Sequence, residues 1–385
     1  VFEVPFSGIR KVFDKVNALV AEGRDVIHWQ IGRSDFDTPA HIKAGAAESL
    51  ERGDVHYAPS MGVPPLRKAI AARTEIDTGV EVQWDTQTIV MAGANEGILC
   101  AVMAFVNPGD EVIIPDPNWH HYKSIVSLAG GVAVEVATKE ENDFALLAED
   151  VEKVITPRTK IICIPSPSNP TGTLYPRETL EAILEEAAYR GIHVISDEVY
   201  DHLIYDGKDY PSVLSCCPDL DHVMVISSFS KTFSMAGMRI GWLIGSQGAI
   251  KKLRRYHMFT TTVANTPCQW AGVAALRGSN DFIDSMVAEY QHRRDRLVEL
   301  VEQTPYLTGY QPDGAFYLFP SLPDGVDGAN VALKMLRETG VCTIPGDTFG
   351  EAGKHALRIS YSTSLDQIEE AFERIIPWMK KQNFG

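Results

Sequence analysis

The sequence predicts an α/β protein with a large domain on a mostly parallel, helix-flanked sheet and a smaller α/β domain. Between residues 36 and 250, apolar β-branched runs alternate with segments of helical periodicity, the pattern of a sheet covered on both faces. The 385 residues, 45% of them apolar, suffice for two domains. Beyond about residue 286 a second set of strands and helices follows. We therefore predict a large domain at 36–285 and a small domain made of 1–35 and 286–385.

The charge and the cysteines argue against several classes of protein. A formal net charge of −16 disfavours broad binding to nucleic acid or to an anionic membrane. No apolar run approaches the roughly 20 residues that span a bilayer, and the first residues lack the basic start and apolar core of a signal peptide. The six cysteines are scattered without zinc spacing. We expect reduced thiols, no metal and a cytoplasmic location.

The first strand of the large domain ends in a possible anion site. Helical periodicity over residues 8–22 and a short strand at 26–31 come before it. A strand at 88–91 then stops at Gly93, Ala94 and Asn95, and a helix follows to residue 105. Free N–H groups and the positive end of the dipole at such a helix start can hold an anion. Many α/β units turn on small residues without a ligand, so this signal is weak by itself.

The next strand, at 111–114, runs into two prolines and Trp119. Prolines at the end of a strand can set an aromatic ring at the edge of a pocket, and ordinary packing of the indole is the alternative. His120 and His121 follow directly. Side chains of adjacent residues diverge on a helix or a strand, so we do not expect them to share a metal ion.

Two further strands also end in polar residues. The strand at 160–164 precedes Asn169, and the strand at 193–196 ends in Asp197 and Tyr200. An aspartate in this place can simply cap a helix. It can also present a buried carboxylate to a ligand at the edge of the sheet.

A polar loop at 228–239 carries Lys231 between the apolar runs 223–226 and 241–245. Desolvation between two buried strands would lower the pKa of this amine and make it nucleophilic. Isolated lysines are more often surface residues, so the interpretation depends on the other strand ends.

The C-terminal part contributes a candidate arginine. Arg358 lies in an otherwise apolar strand at 356–360, where a surface salt bridge is a less comfortable explanation than a buried ligand contact. The other expected elements of this part are a basic helix at 250–257, helices at 281–303, 328–339 and 365–380, and strands at 315–319 and 341–344.

The polar stretches of the large domain should converge, because ligands of such sheets bind beyond the carboxyl ends of the strands. A lysine, an aspartate, an aromatic ring and an anion site on one edge suit pyridoxal 5′-phosphate (PLP). Its aldehyde forms a Schiff base with an amine, and its ring nitrogen needs a carboxylate to stay protonated. Its phosphate needs N–H donors, hydroxyls and an arginine.

Seven segments occur together: DFDTP at 35–39, PDPNW at 115–119, NPTG at 169–172, DEVY at 197–200, SFSK at 228–231 with Arg239 eight residues on, GAFY at 314–317 and LRIS at 357–360. In combination they resemble the class I/II aminotransferases of the aspartate aminotransferase superfamily, over nearly the whole chain. The resemblance implies the type I PLP fold with a seven-stranded sheet. It also implies transfer of an amino group between an L-amino acid and a 2-oxo acid by a ping-pong aldimine/ketimine mechanism.

The resemblance assigns catalytic roles. Lys231 would hold PLP as a Schiff base and then move the proton between the substrate Cα and the cofactor C4′. Asp197 would pair with the pyridine nitrogen. Tyr200 and Asn169 would hydrogen-bond the phenolic oxygen of the cofactor.

The remaining roles concern binding. Trp119 would stack on the cofactor ring, and Arg358 would clamp the α-carboxylate of a substrate that Gly32, Trp119 and Asn169 also line. Tyr57 would reach the phosphate of the neighbouring subunit, which implies a homodimer with shared active sites. The phosphate itself would be bound by Gly93, Ala94, Asn95, Ser228, Ser230 and Arg239.

Departures from the family pattern leave alternatives open. Ser34 stands where proline is common, and no arginine is assigned to a second substrate carboxylate. Arg10, Arg33 and the histidines are candidates for recognising the substrate side chain. A PLP-dependent lyase, cyclase or oxidase acting at Cβ or Cγ would use the same fold. A non-catalytic regulator module is disfavoured by the acidic charge and by a chain that starts directly with the small-domain helix.

Overall fold

The computed structural model describes residues 8–217 and 219–384. The strands are β1 (Ile27–His28), β2 (Thr88–Met91), β3 (Glu111–Asp116), β4 (Val132–Ala137), β5 (Thr159–Pro165), β6 (His193–Asp197), β7 (Val223–Ser228), β8 (Gly241–Gly245), β9 (Tyr317–Leu318), β10 (Val341–Cys342), β11 (Ile344–Pro345) and β12 (Leu357–Ser360). The helices are α1 (Gly8–Ala21), α2 (Ala40–Glu51), α3 (Pro64–Thr78), α4 (Ala94–Phe105), α5 (His121–Leu128), α6 (Ala148–Val154), α7 (Arg177–Arg190), α8 (Val213–Cys216), α9 (Phe229–Thr232), α10 (Gln247–Thr260), α11 (Thr266–Arg277), α12 (Asp281–Glu302), α13 (Gly328–Thr339) and α14 (Leu365–Met379). Within this part of the chain, no helix combines the length and the apolar character needed to cross a membrane.

Among the described residues, seven strands form the large sheet in the order β2-β8-β7-β6-β5-β3-β4. Neighbours from β7 to β4 are all parallel. Strand β8 runs antiparallel to both β2 and β7, because the short segment 229–240 returns the chain directly beside β7. Every residue of β2, β3 and β7 is buried, as expected where helices cover both faces. The predicted α/β fold with a mostly parallel sheet is confirmed.

Residues from both ends of the chain pack together beside this sheet. Strand β1 pairs in parallel with β10, and β11, β12 and β9 form a small antiparallel sheet. Apolar side chains of β1, β9, β10 and β12 share one buried cluster with the helices α12 and α14. Trp29, for example, lies against Phe372 with 5.3 Å between the ring centroids.

Some elements differ from the sequence-based expectations. Residues 229–232 form the helical turn α9 where a loop was predicted around Lys231. The turn begins because the Ser228 hydroxyl accepts the N–H of Ser230, which caps the first turn. Helices α5, α6, α8 and α11 and strand β4 were not predicted.

Candidate active site

A cavity of about 350 Å³ lies at the carboxyl ends of the parallel strands, between the large sheet and the segments from the chain ends. The structure brings nearly all of the predicted site residues to its wall. They are Gly32, Ala94, Asn95, Trp119, Asn169, Asp197, Tyr200, Ser228, Ser230, Lys231, Arg239 and Arg358. The predicted convergence at one edge of the sheet is therefore found in the structure.

Lys231 projects from α9 into this cavity. Its Nζ donates a hydrogen bond to the Gly32 carbonyl at 2.5 Å. The same nitrogen lies 5.3 Å from the ring centroid of Phe316 and 5.5 Å from that of Tyr200. Burial lowers the pKa of Lys231, because desolvation disfavours the ammonium form. The amine is thus buried, and its ammonium form is less favoured than in water.

Asp197 ends β6 and is buried beneath the cavity. Its Oδ2 accepts a hydrogen bond from the Tyr122 hydroxyl at 2.5 Å, and its Oδ1 accepts a longer one, 3.4 Å, from the Val199 N–H. Burial raises the pKa of Asp197 to about 6, although these bonds partly offset the effect. A buried carboxylate with so few donors favours any cation that approaches it.

An anion-binding corner lies where β2, β7 and β8 come together. Gly93 has a φ of +83°, and a Cβ atom there would lie 2.6 Å from Nη2 of Arg239. Only glycine therefore lets the guanidinium pass so close to the start of α4. The Ser228 hydroxyl donates to the Ser230 hydroxyl at 2.8 Å on the opposite side. A guanidinium, two hydroxyls and a helix N-terminus can together bind a phosphate.

Arg358 lies on β12 at the other end of the cavity and is only 2% exposed. Its Nη2 donates to the Gln30 carbonyl at 2.8 Å and its Nη1 to Asn169 Oδ1 at 3.2 Å. Its Nε is buried and has no hydrogen-bond partner within residues 8–217 and 219–384. Burial lowers the pKa of Arg358. A buried guanidinium held by neutral oxygens is suited to a carboxylate ligand.

Aromatic side chains close the space between these groups. The hydroxyls of Tyr200 and Tyr317 lie 2.9 Å apart, and the guanidinium of Arg358 lies 4.7 Å from the Tyr317 ring centroid. The Trp119 indole stacks with His121 at 4.1 Å between centroids and 17° between planes. The aromatic rings therefore give the cavity planar walls, which suit a planar ligand.

Four predicted residues lie outside the lining. Gly93 contributes to the anion corner through its backbone, as described above. Tyr57 is 89% exposed at the surface. Arg10 and Arg33 do not belong to the described lining, whereas His120 and His121 do.

Sequence reasoning missed several residues of the site. Tyr122 follows Trp119 by three positions, which places both on one side of a helix start, but no helix was predicted there. Tyr317 was part of a recognised segment without a role of its own. Ile9 and Phe13 of α1 line the cavity mouth and carried no signal beyond helical periodicity. Within the described ranges, no cluster of three or more His, Cys, Asp or Glu residues could hold a metal ion.

The residues present fit PLP. The corner around Arg239 suits its phosphate, Asp197 suits a protonated ring nitrogen, and Lys231 is an amine in reach of the same cavity. Within the described ranges, the carboxylate of Asp197 accepts one short and one long hydrogen bond, and Nε of Arg358 has no partner. A cofactor cation and a substrate carboxylate would complete them.

Comparison with known proteins agrees with this chemistry. The chain matches the family described as aminotransferase class I and II over residues 24–375. It is 39% identical to an aspartate aminotransferase of Pyrococcus abyssi over 96% of this chain and 94% of that protein. It is 36% identical to aromatic-amino-acid aminotransferase 2 of Thermococcus litoralis, over 98% and 96% respectively.

Solved structures are similarly close. The aspartate aminotransferase of Thermus thermophilus with maleate has a TM-score of 0.92 at 36% identity, covering 97% of each chain. The alanine aminotransferase of Pyrococcus furiosus has a TM-score of 0.94 at 32% identity, covering 98% of each chain. The protein is thus a PLP-dependent transaminase that acts on amino acids and 2-oxo acids, and the chain belongs to the class I and II aminotransferases.

Proposed function

We propose that Lys231, Asp197 and Arg358 carry the transamination. The supporting observation is that a buried amine, a buried carboxylate and a buried guanidinium share one cavity. Within the described part of the chain, Asp197 and Arg358 are hydrogen-bonded only to neutral groups. Each group would be uncomfortable in an ordinary protein interior. Together they match three groups of a cofactor–substrate pair: the aldehyde, the ring nitrogen and the substrate α-carboxylate.

Lys231 is the covalent anchor and the base. When bound, PLP supplies an aldehyde that condenses with amines and a ring that accepts electrons from the substrate. The Lys231 amine holds the cofactor in the resting enzyme. Nζ, free once a substrate amine has displaced it, would take the proton from the substrate Cα and return it to the cofactor carbon C4′.

The other cavity residues orient the cofactor. The carboxylate of Asp197 keeps the ring nitrogen protonated. Burial holds the pKa of Tyr200 well above its usual value, so its phenol stays a hydrogen-bond donor toward the cofactor oxygen, beside Asn169. Trp119 covers the ring. The phosphate is held by Gly93, Ala94, Asn95, Ser228, Ser230 and Arg239.

The substrate binds at the Arg358 end. Its α-carboxylate takes the place next to Nε and Nη1, where the guanidinium is already fixed by Gln30 and Asn169. Because the geometry is set before binding, little ordering is needed when the substrate arrives. The backbone of Gly32 and the indole of Trp119 complete this subsite.

Lys231→Ala tests the assignment. We expect the visible absorbance of the bound cofactor and the amino-transfer half-reaction to be lost, while Lys208→Ala keeps both. Lys208 is a surface lysine, half exposed and paired with Asp313, so it controls for the loss of an amine. A wild-type spectrum in Lys231→Ala would refute the proposal.

We propose that the enzyme is a homodimer with shared active sites. Tyr57 is 89% exposed and Phe259 is 91% exposed, which is unusual for large aromatic side chains. A second copy of the chain would cover both. Tyr57 would then donate to the phosphate in the partner's cavity.

The dimer is tested by sedimentation and by Tyr57→Phe. We expect a two-subunit mass, and a cofactor dissociation constant about 3- to 10-fold higher in Tyr57→Phe because one hydrogen bond is lost. Tyr189→Phe is the matched control, since Tyr189 is 84% exposed elsewhere. A monomer with unchanged cofactor affinity in Tyr57→Phe would refute the shared site.

We also propose the division into a large domain, 36–285, and a small domain, 1–35 with 286–385. The separate apolar clusters of the large sheet and of the chain ends support it. Limited proteolysis should cut first near these boundaries. A cytoplasmic location is supported by six free thiols and is tested by cell fractionation.

A further inference from the structure

Tyr122 is a buried tyrosine whose hydroxyl contacts a residue of the active-site cavity. The side chain is 2% exposed and leaves α5 toward the end of β6. Its hydroxyl donates to Asp197 Oδ2 at 2.5 Å. Among residues 8–217 and 219–384, the only other donor to this carboxylate is the Val199 N–H, 3.4 Å from Oδ1. Tyr122 therefore provides the dominant hydrogen bond to Asp197.

The same ring contacts a second cofactor-facing residue. Tyr122 lies edge-on to the Trp119 indole, with 5.6 Å between centroids and 88° between planes. Such edge-to-face pairs fix relative ring positions. One side chain thus links the indole expected over the cofactor ring to the carboxylate expected at the ring nitrogen.

The hydrogen bond from Tyr122 also makes the two carboxylate oxygens of Asp197 unequal. Oδ2 is occupied by a phenol that can only donate while it stays protonated, and burial raises the pKa of Tyr122 well above its usual value. Oδ1 has a single long bond and is the oxygen left for a cationic partner. A phenol on Oδ2 stabilises the ionised carboxylate and disfavours the protonated one.

We propose that Tyr122 is a positioning residue of the transamination: its hydroxyl orients the Asp197 carboxylate and keeps it ionised for the ring nitrogen of the cofactor. This inference rests on the proposed role of Asp197. In this role Tyr122 acts through Asp197, whose carboxylate it hydrogen-bonds.

Tyr122→Phe removes the hydroxyl and leaves the ring. We expect the dissociation constant of PLP from the apoenzyme, measured by equilibrium dialysis near pH 7, to rise roughly 10-fold or more, the loss typical for a hydrogen bond to a charged group. Tyr175→Phe is the matched control. Tyr175 is also buried and its hydroxyl bonds the backbone at Leu146, outside the cavity.

The pH profile separates positioning from packing. The ionisable groups that interact electrostatically with Asp197 are Tyr122, Tyr200, Tyr210, Cys163 and Lys231. Without the phenol, Asp197 is protonated over a wider pH range in the apoenzyme. The loss of affinity should therefore be larger near about pH 6 than near about pH 9, where the carboxylate ionises unaided. A packing defect would cost the same at both.

A double-mutant cycle completes the test. In the Asp197→Asn background, Tyr122→Phe should change the cofactor dissociation constant by less than about 2-fold, because the charge to be positioned is gone. Two outcomes would refute the role of Tyr122 and leave that of Asp197 intact. One is an equal loss of cofactor affinity in both backgrounds. The other is a wild-type affinity in Tyr122→Phe while Asp197→Asn is impaired. Wild-type behaviour of Asp197→Asn would overturn the proposed role of Asp197 instead.

Discussion

Two buried carboxylates, Glu96 in the first turn of α4 and Asp197 at the end of β6, have opposite environments. Glu96 accepts hydrogen bonds from His257 Nδ1 at 3.0 Å, from the hydroxyls of Thr260 and Thr261, and from the Ala92 N–H at 2.6 Å. Asp197 has one short bond and one long one. Both are buried, so both suffer the same kind of desolvation.

The pKa values record the difference. Burial alone would raise the pKa of Glu96, but the hydrogen bonds from His257 and the two threonines outweigh it and hold the pKa at about 2. Burial prevails at Asp197 and raises its pKa to about 6. The fold completes the shell of Glu96, which joins α4 to α10. Asp197 has fewer donors, and no cationic side chain of the described residues hydrogen-bonds it. This is how a carboxylate that awaits a ligand differs from a structural one.

The largest expected effect is on turnover. Asp197→Asn should slow the amino-transfer half-reaction by roughly 10³-fold, because the fixed charge opposite the cofactor is lost. Thermal unfolding of the apoenzyme should change little, since an amide can still accept from Tyr122. A clear loss of stability with retained turnover would make Asp197 a structural carboxylate like Glu96.

Glu96→Ala should act on stability. Four donors lose their acceptor in a buried place, so we expect the free energy of unfolding to fall by about 3 kcal/mol, measured by urea denaturation. Glu351→Ala is the control, because its ion pair with Lys354 is exposed and should contribute within about 1 kcal/mol. A stability of Glu96→Ala close to that of the control would show that the Glu96 shell is dispensable.

The smallest effect is the pH dependence of apoenzyme stability, which should have opposite signs for the two residues. The raised pKa of Asp197 means that the folded state binds the proton more tightly than the unfolded state does. The stability that comes from this protonation is therefore lost as the pH rises from 3.8 to about 6. The lowered pKa of Glu96 means that its contribution is lost as the pH falls from 4.5 to about 2. Denaturation curves of Asp197→Asn and Glu96→Gln should each differ in slope from the wild type in one window only.

Glu198 adds a pH dependence of its own, so the stability of each variant must be compared with that of the wild type at the same pH. Burial raises its pKa to about 7, so it also makes the apoenzyme less stable as the pH rises. Its contribution is common to all the variants and cancels in the differences. A change of slope in the acid window for Asp197→Asn would contradict the assignment.

The sequence was informative wherever a buried strand ended in a polar residue. Asp197 became a candidate because an apolar run leads directly into it. The flanking apolar runs did not settle the role of Lys231, which was inferred from the polar ends of the other strands. The direction of β8 could not be predicted, since alternating strands and helices indicate parallel neighbours while β8 returns after a short turn.

Contacts that depend on how a helix is rotated were beyond sequence reasoning. Tyr122 meets Asp197 only because α5 turns its first residues toward β6. The partners of Glu96 lie more than 160 positions away on α10. The position of Tyr57 opposite a second subunit stays a prediction, because a single chain contains no partner.

The hydrogen bond from Lys231 to the Gly32 carbonyl joins residues 199 positions apart, and that from Arg358 to Gln30 joins residues 328 positions apart. During synthesis the amine, the carbonyl and the guanidinium therefore leave the ribosome at widely separated times. A nascent chain that already contains Lys231 still has no wall on the Arg358 side. Loading of the cofactor into a complete cavity is consequently a late event in the biosynthesis of the enzyme.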